Sequence, residues 1–160
     1  MGASIFVGEK KTGVQMHVGR KRYYYRGICG RVVDGDTLHA RLDLGFGCWK
    51  QETIRLYGID TPEKRMVPGG TEDLKALGVL ATEFVRRLIP QNGEIFVETH
   101  IDRGKYGRTL GEIWVGDNEK SINEMLEDER LAVPYWNTSR ADILEQHLNN
   151  VEYHRSLNNL

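Results

Sequence analysis

The first third of the chain alternates apolar and polar positions between glycines. In TLHARLDL (37–44), Leu38, Ala40, Leu42 and Leu44 alternate with Thr37, His39, Arg41 and Asp43, the period of a strand with one buried face. Similar runs over 26–33 and 51–59 predict two more strands, and the GFG of 45–47 suits a hairpin between the second and third. After a polar, glycine-rich loop, RMVPGGTED (65–73), the period changes. Leu74, Leu77, Ala81, Phe84, Val85 and Leu88 fall on one face at helical spacing, and Pro90 with Asn92-Gly93 closes that element. EIFVETHI (94–101) and TLGEIWV (109–115) read as strands joined by DRGKYGR (102–108). Ser121 and Glu124 form a capping box for a short helix, and Leu144, His147, Leu148 and Val151 stripe a last helix from about Ala141.

Five short strands with a helix between the third and fourth predict an α+β, mainly β fold: a five-stranded OB-type Greek-key barrel with about three helices. The expected organisation is a basic N-terminal arm (1–25), the barrel domain with its helices (26–137) and a C-terminal helix and tail (138–160).

The 160-residue length suits one compact domain, and 39% hydrophobic with 28% charged residues is ordinary for a globular chain. No apolar run reaches membrane-span length, so no membrane partner is expected. MGASIFVGEKKTG has no segment resembling a signal peptide, which gives a cytoplasmic expectation with release from the cell left open. Cys29 and Cys48 lack the companions of a disulfide framework or a zinc site. Net charge is −1, yet residues 1–31 carry seven cations against Glu9, a local +6. In GRKRYYYRG (19–27) cations interleave with Tyr23, Tyr24 and Tyr25, as a solvated first strand or a nucleic-acid-tracking segment would.

Two acidic corners carry the candidate chemistry. VVDGDT (32–37) sets Asp34 and Asp36 about Gly35, and YGIDTPEKR (57–65) sets Asp60 and Glu63 about Thr61-Pro62. If the third strand pairs beside the first two, four carboxylates share one end of the barrel. Two unit charges about 5 Å apart repel by roughly 3 kcal/mol at an effective dielectric near 20, so such acids hold either protons or a metal. Oxygen donors select Ca²⁺, Mg²⁺ or Mn²⁺, and the five histidines show no ligand spacing. Arg55 precedes Asp60 by five residues, an odd number, so the two converge only if the strand bends, for which Gly58 is the candidate. With Arg108 it offers two guanidinium forks for a phosphate that gains charge in a transition state.

In order along the chain, DGDT (34–37), IRLYGIDTPE (54–63), the Gly78/Ala81/Phe84 spacing, KYGR (105–108) and INEMLEDERLA (122–132) resemble the staphylococcal-nuclease-like (thermonuclease) family over about residues 28–135. The resemblance implies a metal-dependent endonuclease acting on DNA and RNA, usually with Ca²⁺, Mg²⁺ or Mn²⁺ being possible, and leaving 3′-phosphate products. It further implies that Asp36, Asp60 and the Thr61 carbonyl ligate the metal with Asp34 behind them. By the same resemblance Glu63 would activate or position water, Arg55 and Arg108 would clamp the phosphate, Lys105 and Tyr106 would contact a neighbouring one, and Tyr135 would face a base. Trp136 stands in a register that competes with Tyr135. His147 is expected to be a packed helix residue. No protein partner is implied and a monomer is expected. The rival from another class is a non-catalytic OB module that binds single-stranded nucleic acid, which has no use for the acidic corner.

Overall fold

A computed structural model describes residues 22–103 and 105–160. The basic arm through Lys21 lies outside the described residues. Five strands close a barrel in the order β1-β2-β3-β6-β5: β1 (Arg22–Asp34), β2 (Thr37–Asp43), β3 (Trp49–Leu56), β5 (Glu94–Arg103) and β6 (Thr109–Trp114). All neighbours are antiparallel except β3 and β6, whose parallel pairing sets Ile54 beside Thr109 and Arg55 beside Leu110. This is the OB-type barrel that the alternation predicts. Its inner layer is Leu38, Ala40, Leu42, Ile54, Leu56, Ile95, Val97 and Ile113, the inward positions of successive strands.

The structure departs from the sequence pattern in three places. β1 starts four residues earlier than its alternation suggests, because Tyr23, Tyr24 and Tyr25 pair with Thr99, Glu98 and Val97 of β5. The third strand is broken after Leu56, and Ile59–Asp60 becomes a separate two-residue strand, β4, paired with β7 (Val133–Pro134). The break falls at Gly58, whose φ of +80° is a left-handed conformation that glycine adopts without a Cβ penalty.

The third departure is in the last helix. Three α-helices stand among the described residues: α1 (Glu72–Leu88), α2 (Ile122–Asp128) and α3 (Arg140–Ser156). α1 buries Leu74, Leu77, Ala81 and Val85 as its spacing predicts. On α3, however, the buried face is His147, Val151 and His154, while Leu144 and Leu148 stay exposed. Polar demand overrides apolar pattern here: His154 Nε2 lies 3.0 Å from Glu129 O, at the end of α2 where carbonyls lack helical partners. α2 begins with the capping box read from Ser121 and Glu124.

Candidate active site

The acidic corners meet at one end of the barrel, and α1 is the surface they are built against. Gly35 turns β1 into β2; a Cβ there would lie 2.8 Å from Ala81 Cβ and 3.0 Å from Thr61 Oγ1, so the DGD turn packs tightly on both. Gly78, one helical turn before, meets the second corner: a Cβ on it would stand 2.4 Å from Pro62 O and 2.6 Å from Glu63 O. Small residues at 78 and 81 thus let both corners approach one helix face.

Asp36 is buried, and its Oδ2 accepts from Thr61 N (3.1 Å) and Thr61 Oγ1 (3.0 Å) while Oδ1 accepts from Thr37 Oγ1 (2.8 Å). The two corners are therefore hydrogen-bonded directly. Arg55 stands between their acids, with Nη1 2.5 Å from Asp36 Oδ2 and Nη2 2.8 Å from Asp60 Oδ1. The turn at Gly58 is what brings Arg55 and Asp60 onto one side. Burial pushes the Asp36 carboxyl above the usual range, and the Asp60 charge adds to this, against the opposing pull of Arg55 and the Thr61 N–H.

Glu63 stands at the solvent rim of the site. Partial withdrawal of its carboxyl from water raises its pKa, as do the charges of Asp34, Asp36 and Asp60, and Arg55 draws it back down. Three carboxylates thus act on the fourth, Glu63. Asp34 lies 3.7 Å from Lys64 Nζ, and the same ammonium donates to Val33 O.

The other residues singled out by the sequence lie on the connection between β5 and β6 and just after β7. Arg108 immediately precedes β6, beside the Thr109 that pairs with Ile54, and its guanidinium lies 5.7 Å from the Tyr106 ring centroid. Lys105 opens a single 3-10 turn, Lys105–Gly107, in which Tyr106 has φ +65° and a fully solvent-facing ring. Tyr135 follows β7 with its N–H on Gly58 O at 2.8 Å. Trp136 packs on Tyr57 at 4.8 Å between centroids, and Tyr57 stacks on His100 at 3.4 Å. Of the two aromatic residues left open by the sequence, Trp136 ends this stack at the corner.

Two contributors escape the sequence reading. His147 is more than a packed residue, since its Nε2 stands 3.0 Å from Asp60 Oδ2. An ionised carboxylate only accepts, so Nε2 carries the proton. Nδ1 is buried without a hydrogen-bond partner. Asn123 on α2 is buried, donates to Tyr57 O (2.9 Å) and Gly111 O (3.3 Å), and accepts from Ile113 N (3.3 Å). It braces the backbone just before the Gly58 turn. The INEM run gave that signal, an amide at the second position of a capped helix, but spacing alone does not say what it reaches.

Among the described residues no three of His, Cys, Asp and Glu gather as a ready-made metal cluster. Two carboxylates, Asp36 and Asp60, do face one shared cation, the Arg55 guanidinium. Their carboxylate oxygens are hard donors, which fits Ca²⁺, Mg²⁺ or Mn²⁺, and carbonyls and water would complete the shell.

The protein is thus a closed five-stranded OB-type barrel whose acidic end is crossed by an arginine. The model of the family described as staphylococcal nuclease homologue matches residues 53–155, and the chain belongs to that family. It is 33% identical over 102 residues to the thermonuclease of Staphylococcus hyicus, covering 64% of this chain and 54% of that protein. It is 30% identical over 102 residues to endonuclease YhcR of Bacillus subtilis (strain 168), covering 62% of this chain and 8% of that protein. Protein ParB of Escherichia coli is 35% identical over 91 residues, covering 56% of this chain and 42% of that protein. The chain spans about half the length of the thermonucleases it matches.

Proposed function

We propose that this chain is a divalent-metal-dependent endonuclease that hydrolyses phosphodiesters of DNA and RNA and leaves 3′-phosphate ends. The observation that carries the reading is the Arg55 bridge between Asp36 and Asp60, with Glu63 in the field of both acids. Membership of the nuclease family and the nuclease names of its relatives support it.

In this reading the Asp36 and Asp60 carboxylates and the Thr61 carbonyl would hold the ion, with Asp34 behind them. The ion supplies Lewis-acid stabilisation of the charge that grows on the phosphoryl oxygens. Glu63 takes a proton from the attacking water or fixes its orientation, at a rim open to solvent. Arg55 and Arg108 present guanidinium forks to the phosphate, donors that strengthen as its charge develops. Lys105 and Tyr106 meet an adjacent phosphate. Tyr135 or Trp136 offers a ring to a base, and the Trp136–Tyr57 contact favours Trp136.

An end-labelled oligonucleotide incubated with Ca²⁺, Mg²⁺ or Mn²⁺, followed by end-group analysis, tests the reading. Cleavage abolished by EDTA, with 3′-phosphate products, is the expected result. A pure chain that binds single strands in a salt-dependent way but cuts no polynucleotide under any of these ions would make it a binding module instead.

A further inference from the structure

β1 carries two residues more than β2 pairs, Gly30 and Val33, and the second lies beside the acidic corner. The register passes from Val32–Leu38 to Asp34–Thr37, so Val33 is the extra residue of a bulge at the edge of the acidic corner. Its carbonyl accepts a hydrogen bond from Lys64 Nζ, and that ammonium also stands 3.7 Å from Asp34 Oδ1. Lys64 directly follows Glu63 in the chain, and its side chain is only 21% exposed. One cation therefore joins the bulge that presents Asp34 and Asp36 to the loop that presents Glu63.

We propose that Lys64 is a positioning residue for cleavage: it pins the Glu63 loop to the β1 bulge and so fixes Glu63 relative to Asp34 and Asp36. This rests on the nuclease reading given above. The side chain turns back into the fold, and a backbone carbonyl and a carboxylate face its donors, which directs the ammonium away from a phosphate. Asp34 and Glu63 are acids on the two segments that Lys64 ties together. Like charges drawn together push their loops apart, and an ammonium beside Asp34 offsets that push where the loop is anchored. Gly78 meets the same loop from the helix side, so Glu63 is held between α1 and the bulge.

Lys64→Met keeps the aliphatic stem and removes the ammonium, whereas Lys64→Arg keeps a cation within reach of the carbonyl. Both are compared with the wild type on a labelled single-stranded oligonucleotide at saturating divalent ion, with kcat, KM, salt dependence of binding and Tm as readouts. The expected result is a kcat at least tenfold lower for Lys64→Met at unchanged KM and salt slope, with most of the rate recovered in Lys64→Arg. A raised KM with a shallower salt slope would identify a phosphate contact and overturn the proposal. So would an unchanged kcat, or an arginine variant no better than the methionine one. Where Lys64→Met does not fold, Lys64→Gln takes its place with the same readings. A wild type that cleaves nothing defeats the nuclease reading itself, while a Lys64→Met protein that cleaves as fast as an active wild type defeats only this inference.

Discussion

Gly78 in the middle of α1 lies against the Pro62–Glu63 backbone, so closely that a Cβ at position 78 would stand 2.6 Å from Glu63 C. All three nearest atoms belong to backbone, so no side chain can rotate out of the way. Gly78→Ala therefore sets two effects in opposition. Alanine gains up to about 1 kcal/mol of helix propensity, and overpacking costs about 1–3 kcal/mol. Stability falls by at most about 3 kcal/mol, but the loop bearing Glu63 must move. A displacement approaching an ångström at a water-activating group costs about a hundredfold in rate. Paired measurement of kcat and Tm checks this, and a variant of wild-type kcat would show that the loop position is not critical.

Glu63→Gln and Arg108→Ala test the chemistry more directly. Glutamine keeps the shape of Glu63 but cannot take up a proton, and alanine removes one of two guanidinium forks. Each should lower kcat by at least a hundredfold, equivalent to about 3 kcal/mol of transition-state stabilisation, with circular dichroism unchanged. A wild-type rate in either variant would retire that residue from the mechanism.

Arg55 also has a role that cleavage assays do not report. It is the counter-ion of buried Asp36 and of Asp60, and its own side chain is only 14% exposed. Removing one member of a buried ion pair leaves the remaining charges unmatched, at about 3–5 kcal/mol. Arg55→Met should lose about that much stability in metal-free buffer. Millimolar Ca²⁺ should then raise the Tm of the variant more than that of the wild type, since a divalent ion would replace the missing positive charge between the acids. Equal calcium-induced shifts in the two proteins would argue that Asp36 and Asp60 do not share an ion.

The barrel was legible in the sequence because its signals are local. Leu38, Ala40 and Leu42 alternate, and Leu74, Leu77, Ala81 and Val85 recur at helical spacing, so the pattern of burial follows from residue types alone. The two acidic corners were legible for a similar reason: glycine and proline mark the turns, and the acids stand beside them. The tertiary ties were not. His147, Asn123 and Lys64 reach partners 87, 66 and 31 residues away, and no spacing rule links a side chain to a carbonyl that a bulge has freed. α3 was misread for the same cause. Its inward face is chosen by what His147 and His154 bond to, whereas Leu144 and Leu148, which an apolar pattern turns inward, remain in solvent.

Asn123 ties three backbone groups of the barrel end, and its removal separates fold from chemistry. In Asn123→Ala, Tyr57 O and Ile113 N lose a buried partner, at about 1–3 kcal/mol each, while Gly111 O still accepts from Tyr57 N. Urea denaturation should show a loss of about 2–6 kcal/mol. A loss under 1 kcal/mol would mean that water takes over these bonds.

Glu127 offers a change in the opposite direction. α2 ends with Glu127 and Asp128, Glu129 caps it, and its last turn has no basic residue, so acids stand at the negative end of the helix dipole. Partial burial of the Glu127 carboxyl, then the charges of Asp128 and Glu124, raise its pKa in the folded protein. An acid whose pKa is higher folded than unfolded binds its proton more tightly in the native state. Its ionisation therefore opposes folding: the penalty is absent below the unfolded value of about 4.3, develops as pH rises through the raised native pKa, and is complete above it. Glu127→Gln should stabilise the protein at pH 7 by about 0.3–1 kcal/mol, the range for a surface charge near a helix end. At pH 4 and below the gain should vanish, because the wild-type side chain is then neutral as well. Thermal melts of both proteins at pH 7 and pH 4 measure this. A Tm difference that is the same at both pH values would place the effect in packing instead of charge, and a lower Tm for the variant at pH 7 would show that Glu127 makes a favourable contact that outweighs its repulsion.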